Sequence, residues 1–195
     1  VAKYPRRLSL AAIVIMVVVA SPVLSLHLGS SDQGQNPPTS TTRHAYDLLA
    51  QGFGPGFNGP LIVVGDLHSP AAVTRFQGLD ATLAHHDGVA TTTPVAPVSG
   101  TVYEFNVVPT TSPQDTATSE LIATIRTQYA AAFTGSSHVY VGGITAIFDD
   151  FAHTLSAKLP LFLGVIVFLG CLLLLVAFRS VLVPVVAAAM NLLAT

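Results

Sequence analysis

The longest apolar run of the chain limits its fold more than any other feature. The segment "LPLFLGVIVFLGCLLLLVAF", residues 159–178, contains no charged side chain and is followed directly by Arg179. A helix needs about 20 apolar residues to cross the hydrocarbon core of a bilayer. The run therefore predicts a complete transmembrane helix.

A second apolar run lies near the start of the chain. Residues 8–26, "LSLAAIVIMVVVASPVLSL", follow the basic residues Lys3, Arg6 and Arg7. A cleaved signal peptide also has a basic start and an apolar run. This run is longer than the usual apolar region of such a peptide, and no clean cleavage site follows it. We therefore interpret residues 1–28 as a basic N-terminus and a first transmembrane helix.

The end of the chain predicts a third, truncated transmembrane helix. Residues 179–195 comprise a short turn around Arg179 and a new apolar run. Basic residues precede the first span and follow the second, which indicates that both of these ends are cytoplasmic. Residues 29–158 then lie outside the cytoplasm. Because the chain begins at Val1 without methionine and stops inside an apolar run, we interpret it as a piece of a longer protein.

The outer segment, at about 130 residues, has the size of a small domain. It opens with a polar linker, and residues 144–158 at its end look helical and lead into the second span without a breaker before Pro160. Between these segments, hydrophobic periodicity, capping residues and turn residues predict seven elements. In chain order they are a helix over 42–52, a strand over 60–67, a helix over 69–86, strands over 88–98 and 101–109, a helix over 112–133 and a strand over 138–143. From the first strand onward, the order β-α-β-β-α-β is typical of a ferredoxin-like domain, in which two helices cover one face of four antiparallel strands.

The segment "GFGPGFNGP", residues 52–60, contains the pattern G-x-G-x-x-G between Gly54 and Gly59. A dinucleotide-binding loop with this pattern follows a strand and opens a helix. Here a helix is predicted before the loop and a strand after it, so nucleotide binding is not predicted. We instead expect an irregular turn that leads into the sheet, with Phe53 and Phe57 as apolar plugs.

Composition excludes further classes of function. Only 9% of the residues are charged and the formal net charge is -2. No basic patch is available to neutralise phosphates, so nucleic acid is not an expected partner. The single cysteine, Cys171, cannot form a disulfide within the chain.

Two polar clusters are candidates for a site. His85 to Asp87 could suggest a metal, but adjacent side chains on a helix point in different directions, and histidines are favoured near a helix C-terminus. Asp149 and His153 share a helical face and, with Asp150, could hold a proton or cation near the membrane surface. A solvated face is the simpler interpretation. We therefore predict no catalytic, cofactor-binding or metal-binding residues, no cofactor and no enzyme.

Two long stretches carry a family resemblance. "RHAYDLLAQGFGPGFNGPLIVV", residues 43–64, and "LPLFLGVIVFLGCLLLLVAFRSVLVPVVAAAMNLLAT", residues 159–195, resemble the MMPL (mycobacterial membrane protein large) family of the resistance–nodulation–division (RND) transporter superfamily. The resemblance covers nearly the whole chain. It implies the start of the second half of a twelve-span protein: a seventh span, a ferredoxin-like porter-type domain, an eighth span and the opening of a ninth.

The resemblance implies a transporter of the plasma membrane that exports lipids or other hydrophobic molecules with the proton gradient. In the family that the chain resembles, Asp-Tyr pairs in the fourth and tenth spans form the proton relay. None of the three apolar runs of this chain contains Asp, Glu, Lys or His. The piece would supply part of the outer porter wall. Its implied partners are a lipid or hydrophobic substrate, membrane lipids, the remaining half of the transporter and, in an oligomer, further copies. The alternative is a membrane-anchored binding or scaffolding module without transport activity.

Overall fold

The computed structural model describes residues 32–178 together with Val14 and Val18. The predicted first span over 8–26 and third span over 181–195 lie outside these residues, apart from the two valines. In chain order the elements are a 3-10 turn Gln33–Gln35, α1 Thr41–Phe53, a 3-10 turn Pro55–Asn58, β1 Leu61–Asp66, α2 Pro70–Leu83, β2 Val89–Thr92, β3 Ala96–Ser99, β4 Val102–Pro109, α3 Thr116–Thr124, a π turn Ile125–Tyr129, a 3-10 turn Ala130–Ala132, β5 His138–Gly142 and α4 Ile144–Phe178.

The strands form one antiparallel sheet. Its order is β2-β4-β1-β5, and β3 also pairs with β4. The central strand β1 pairs Val63 with Phe105 of β4 on one side and with Val141 of β5 on the other. In sequence, β1 is separated from its neighbour β4 by α2 and from its neighbour β5 by both α2 and α3, so both helices lie in the connections of a single sheet.

One face of the sheet carries the core. Alternate residues of β1 are buried, as expected for a strand with one covered face. They belong to one apolar cluster with residues of α2 and α3. At its centre the ring of Phe76 meets Phe105 edge-on, with 5.1 Å between ring centroids, and Phe133 lies 6.2 Å away. The predicted mixture of helices and antiparallel strands is confirmed.

Helix α4 is the longest element and runs for 35 residues without interruption. It is the one described helix that is long and apolar enough to cross a membrane. Pro160 lies inside it and does not end it. Because proline lacks an N–H, one carbonyl of the preceding turn loses its helical hydrogen bond there. The predicted continuation of residues 144–158 into the second apolar run is confirmed.

Two predicted elements are each divided into shorter ones in the structure. The strand expected over 88–98 is two short strands, β2 and β3, separated around Pro94, which cannot donate to the ladder. The helix expected over 112–133 ends as an α-helix at Thr124 and continues as a π turn and a 3-10 turn. Within the π turn, the hydroxyl of Thr127 donates to the carbonyl of Ala123 at 2.7 Å, a bond that bends helices.

The glycine-rich segment is an irregular turn between α1 and β1. Gly54, at φ 92°, ends α1, and a 3-10 turn follows. Gly56 is buried so closely that an added Cβ would lie 1.9 Å from the carbonyl oxygen of Pro109. The prediction of Phe53 and Phe57 as apolar plugs was wrong. Their rings stack on each other at 4.7 Å but are 64% and 40% exposed, because Gly56 occupies the space against the sheet.

Substitution of two glycines tests this packing. We expect Gly56→Ala to destabilise the domain by about 1–3 kcal/mol or more, because the backbone at Pro109 must move. Gly52→Ala is the matched control. Its Cβ meets nothing within 4 Å inside α1, so it should stabilise the domain by up to about 1 kcal/mol. Pulse proteolysis of the full-length protein in urea measures both changes, and equal stability of the two variants would contradict the packing at Gly56.

Candidate functional site

The first turns of α4 present two different faces. Thr145 and Ala146 are buried, and the Thr145 hydroxyl donates to the carbonyl of Gly59 at 2.9 Å. The opposite face carries exposed apolar side chains at the spacing of one helical stripe. We call this set the apolar stripe: Ile144, Ile147, Phe148, Phe151 and Leu155. A soluble helix rarely leaves such a face in water, so the stripe marks a contact surface for an apolar partner.

Arg126 is the central charged residue near this helix. It lies in the π turn and donates from Nη2 to the carbonyl of Val141 at 3.0 Å. Its guanidinium also forms a two-pronged ion pair with Asp150 of α4, in which the Nη2–Oδ2 distance is 2.9 Å. The hydrogen bond to Asp150 raises the pKa of Arg126, so this side chain stays charged. One side chain thus joins α4 to strand β5.

A groove lies beside Arg126 at the outer edge of β5. Its volume is about 400 Å³. It is lined by residues 138–141 of β5 and by Arg126, Ala130, Ala131 and Phe133. The lining combines apolar side chains with one fixed cation and with the exposed ring of Tyr140. Arg126 is therefore both a wall of the groove and a link to α4.

The sheet face away from the two helices is partly apolar. Ile62 and Val64 of β1 are half-buried there, and Val64 is paired with Glu104 and with exposed Tyr140. At one end of this face the hydroxyl of Thr101 donates to Oδ1 of Asp66 at 2.6 Å. This face therefore combines half-buried apolar side chains with polar ones.

The polar clusters considered from the sequence have simple surroundings. His85 and His86 follow the end of α2 at Leu83 in a turn, not within the helix as predicted. The ring of His86 packs edge-on against Tyr129 at 5.9 Å. Within residues 32–178 there is no group of three or more His, Cys, Asp or Glu that could hold a metal ion.

Of the acidic pair in α4, Asp150 binds Arg126, a partner that sequence reasoning missed. Arg126 lies 24 positions earlier in the chain, beyond the reach of any helical spacing rule. The only local signal was an arginine on a helix that was otherwise predicted to be amphipathic. The contact arises because the π turn and α4 meet at the edge of β5.

These features define a class of protein: an α+β domain followed by a helix that can cross a membrane. The sequence identifies the family. The model of the MMPL family matches residues 72–195, more than half of the chain, and the chain belongs to this family. It is accordingly part of a multi-pass protein of the plasma membrane.

Similar proteins extend well beyond this chain. Membrane protein YdfJ of Bacillus subtilis (strain 168) is 36% identical over 97% of the chain and 26% of its own length. The mycolic acid-containing lipids exporter MmpL11 of Mycolicibacterium smegmatis is 29% identical over 93% of the chain and 20% of its own length. A Mycobacterium tuberculosis relative named heme uptake protein MmpL11 is 29% identical over 89% of the chain and 18% of its own length. The chain therefore spans only a minor part of each of these relatives.

The two faces of α4 should respond differently to substitution. We expect Phe151→Ser, on the apolar stripe, to change the free energy of unfolding by no more than about 0.5 kcal/mol, because Phe151 is 64% exposed. Ala146→Leu on the opposite face should cost about 1–3 kcal/mol, because Ala146 is fully buried in the core. Urea unfolding of the full-length protein in detergent, followed by proteolysis, measures both. A large loss for Phe151→Ser would mean that the stripe is covered within the folded domain.

Proposed function

We propose that this chain is part of an RND-type MMPL transporter that exports lipids or other hydrophobic molecules, and that residues 29–158 supply part of its outer porter wall. One observation carries the proposal. Helix α4 leaves the sheet domain with an exposed apolar stripe and continues, without a break, as a helix able to cross a membrane. An apolar face that continues into a membrane helix suits a protein that handles molecules from the bilayer.

The topology supports a porter-type, ferredoxin-like domain. From β1 onward the chain alternates strand, helix, strands, helix and strand, with β2 and β3 in the place of one predicted edge strand. The sheet order β2-β4-β1-β5 brings the first and last strands together, which agrees with the split βαβ arrangement. We place residues 29–158 outside the cytoplasm, between the first transmembrane helix of residues 1–28 and the second of residues 159–178.

The apolar surface and the relatives support the proposed substrate class. One relative is named for export of mycolic acid-containing lipids and another for uptake of heme. An exposed apolar stripe suits a substrate with a large apolar surface. The apolar runs of this chain contain no Asp, Glu, Lys or His. We therefore assign proton coupling to spans outside this piece, and we assign no enzymatic activity to the chain.

The alternative is an anchored binding or scaffolding module without transport. Its domain would face the same side of the membrane, and its apolar stripe would hold a partner rather than guide a substrate. Transport by the full-length protein distinguishes the two. A strain that lacks the gene should accumulate the lipid substrate inside the cell if the protein exports it, and should show no difference if the protein is a module.

Labelling of single cysteines tests the proposed topology. With every native cysteine of the full-length protein, Cys171 included, replaced by serine, a membrane-impermeant maleimide should label Val98→Cys in intact cells, because the Val98 side chain is 55% exposed. Ser180→Cys, predicted on the cytoplasmic side, should react only after the membrane is permeabilised. If the maleimide labelled Ser180→Cys but not Val98→Cys in intact cells, the proposed orientation would be wrong, and the export proposal would fail with it.

A flexible insertion tests whether α4 connects the membrane helix to the domain mechanically. Seven glycine and serine residues inserted after Ala157 should abolish export while leaving the protein level unchanged. The matched control inserts seven helix-forming residues, which add about two turns and nearly preserve the helical phase. We expect this control to keep part of the transport. Full transport with the flexible insertion would show that a continuous α4 is not required.

A further inference from the structure

Arg126 occupies an unusual position in the backbone. Helix α3 ends at Thr124, and Arg126 lies in the π turn that follows, next to fully buried Ile125. Single π turns are rare and occur often at functional positions. The extra residue in such a turn rotates the side chains after it relative to those of a continuous α-helix. In this chain, Arg126 reaches the edge strand and α4 from this turn.

The guanidinium binds two elements at once. Nη2 donates a hydrogen bond to the carbonyl oxygen of Val141, with 3.0 Å between the two atoms. The carboxylate of Asp150 accepts hydrogen bonds from both Nη atoms. Val141 belongs to β5, the last strand in the order of the described sheet. The planar fork of arginine suits this geometry, whereas the ammonium of lysine acts as a point charge.

The ion pair is too exposed to be important for folding. The side chains of Arg126 and Asp150 are 32% and 56% exposed, and ion pairs in that environment contribute little to the free energy of folding. Its distinctive property is position. Asp150 lies within the first two turns of α4, and Arg126 and Val141 both line the groove at the edge of β5.

We propose that Arg126 is a positioning residue that fastens the first turns of α4 to strand β5, so that displacement of α4 moves β5 and changes the width of the groove. The inference rests on the proposed transport function, because it assigns to this contact the transmission of motion between the membrane helix and the porter-type domain. The groove then opens or closes with α4, whereas the buried core under α2 and α3 stays unchanged.

Three variants of the full-length protein test the contact. Asp150→Asn removes the negative charge and keeps the size of the side chain. Arg126→Lys keeps the positive charge but removes the planar guanidinium that donates from two nitrogen atoms. The double variant Arg126→Asp with Asp150→Arg reverses the pair. The matched control is Asp47→Asn, which makes the same change in the Arg43–Asp47 ion pair within α1, where the Nε–Oδ1 distance is 2.8 Å and both side chains are partly exposed.

Transport is the first measurement. We expect Asp150→Asn and Arg126→Lys to lower the maximal transport rate about fivefold or more, with little change in the substrate concentration for half-maximal rate. The reversed pair restores the ion pair with α4 but not the bond to Val141 of β5, so its transport rate should stay low. Asp47→Asn should transport like the wild type. Wild-type transport by Asp150→Asn, or by the reversed pair, would overturn the proposal.

Hydrogen exchange is the second measurement and does not depend on transport. Asp150→Asn should raise the exchange of the amides of residues 138–142 by about twofold to fivefold, the range expected for an exposed ion pair, while the amides of β1 and β4 stay protected. Unchanged exchange at β5 would show that Arg126 does not fasten the strand. If the wild-type protein transports nothing, the proposed function fails, and the exchange result alone decides whether the contact holds α4 to β5.

Discussion

The continuity of α4 is the constraint on which the rest of the structure depends. A helix satisfies its backbone hydrogen bonds internally, so one helix can pass from a water-exposed domain into hydrocarbon without leaving polar groups unpaired. In this chain the helix begins against the sheet, with Ala146 in the core, and runs on through Pro160. The buried start of α4 and its long apolar part therefore belong to one helix.

The start of α4 is held by contacts of two kinds. On the buried side, Thr145 donates to Gly59, and the glycine-rich turn makes room for this contact because a side chain at Gly59 would collide with the threonine hydroxyl. On the exposed side, Arg126 binds Asp150. The glycine-rich turn thus packs against the beginning of α4. This packing explains the glycines of the turn, and a nucleotide-binding role is not needed to explain them.

Much of the fold could be predicted from local patterns. A short apolar run predicted strand β1, helical spacing predicted α2, and the lack of any breaker predicted that α4 would continue beyond residue 158. Local patterns failed where distant residues decide the outcome. Phe53 and Phe57 looked like core residues from their apolarity, but the space against Pro109 is taken by Gly56. The π turn and the Arg126–Asp150 pair could not be predicted, because no local rule reports a contact across 24 positions.

The sequence by itself determined the apolar runs, the alternation of helices and strands and the membership in the MMPL family, because these depend on the order and spacing of residue types along the chain. The tertiary structure alone decided the neighbours in the sheet, the exposure of the apolar stripe and the partner of Asp150. The physical reason is that hydrophobic burial specifies which face of an element is covered. Which element covers that face, and which polar groups then meet at its edge, depends on how the whole chain packs.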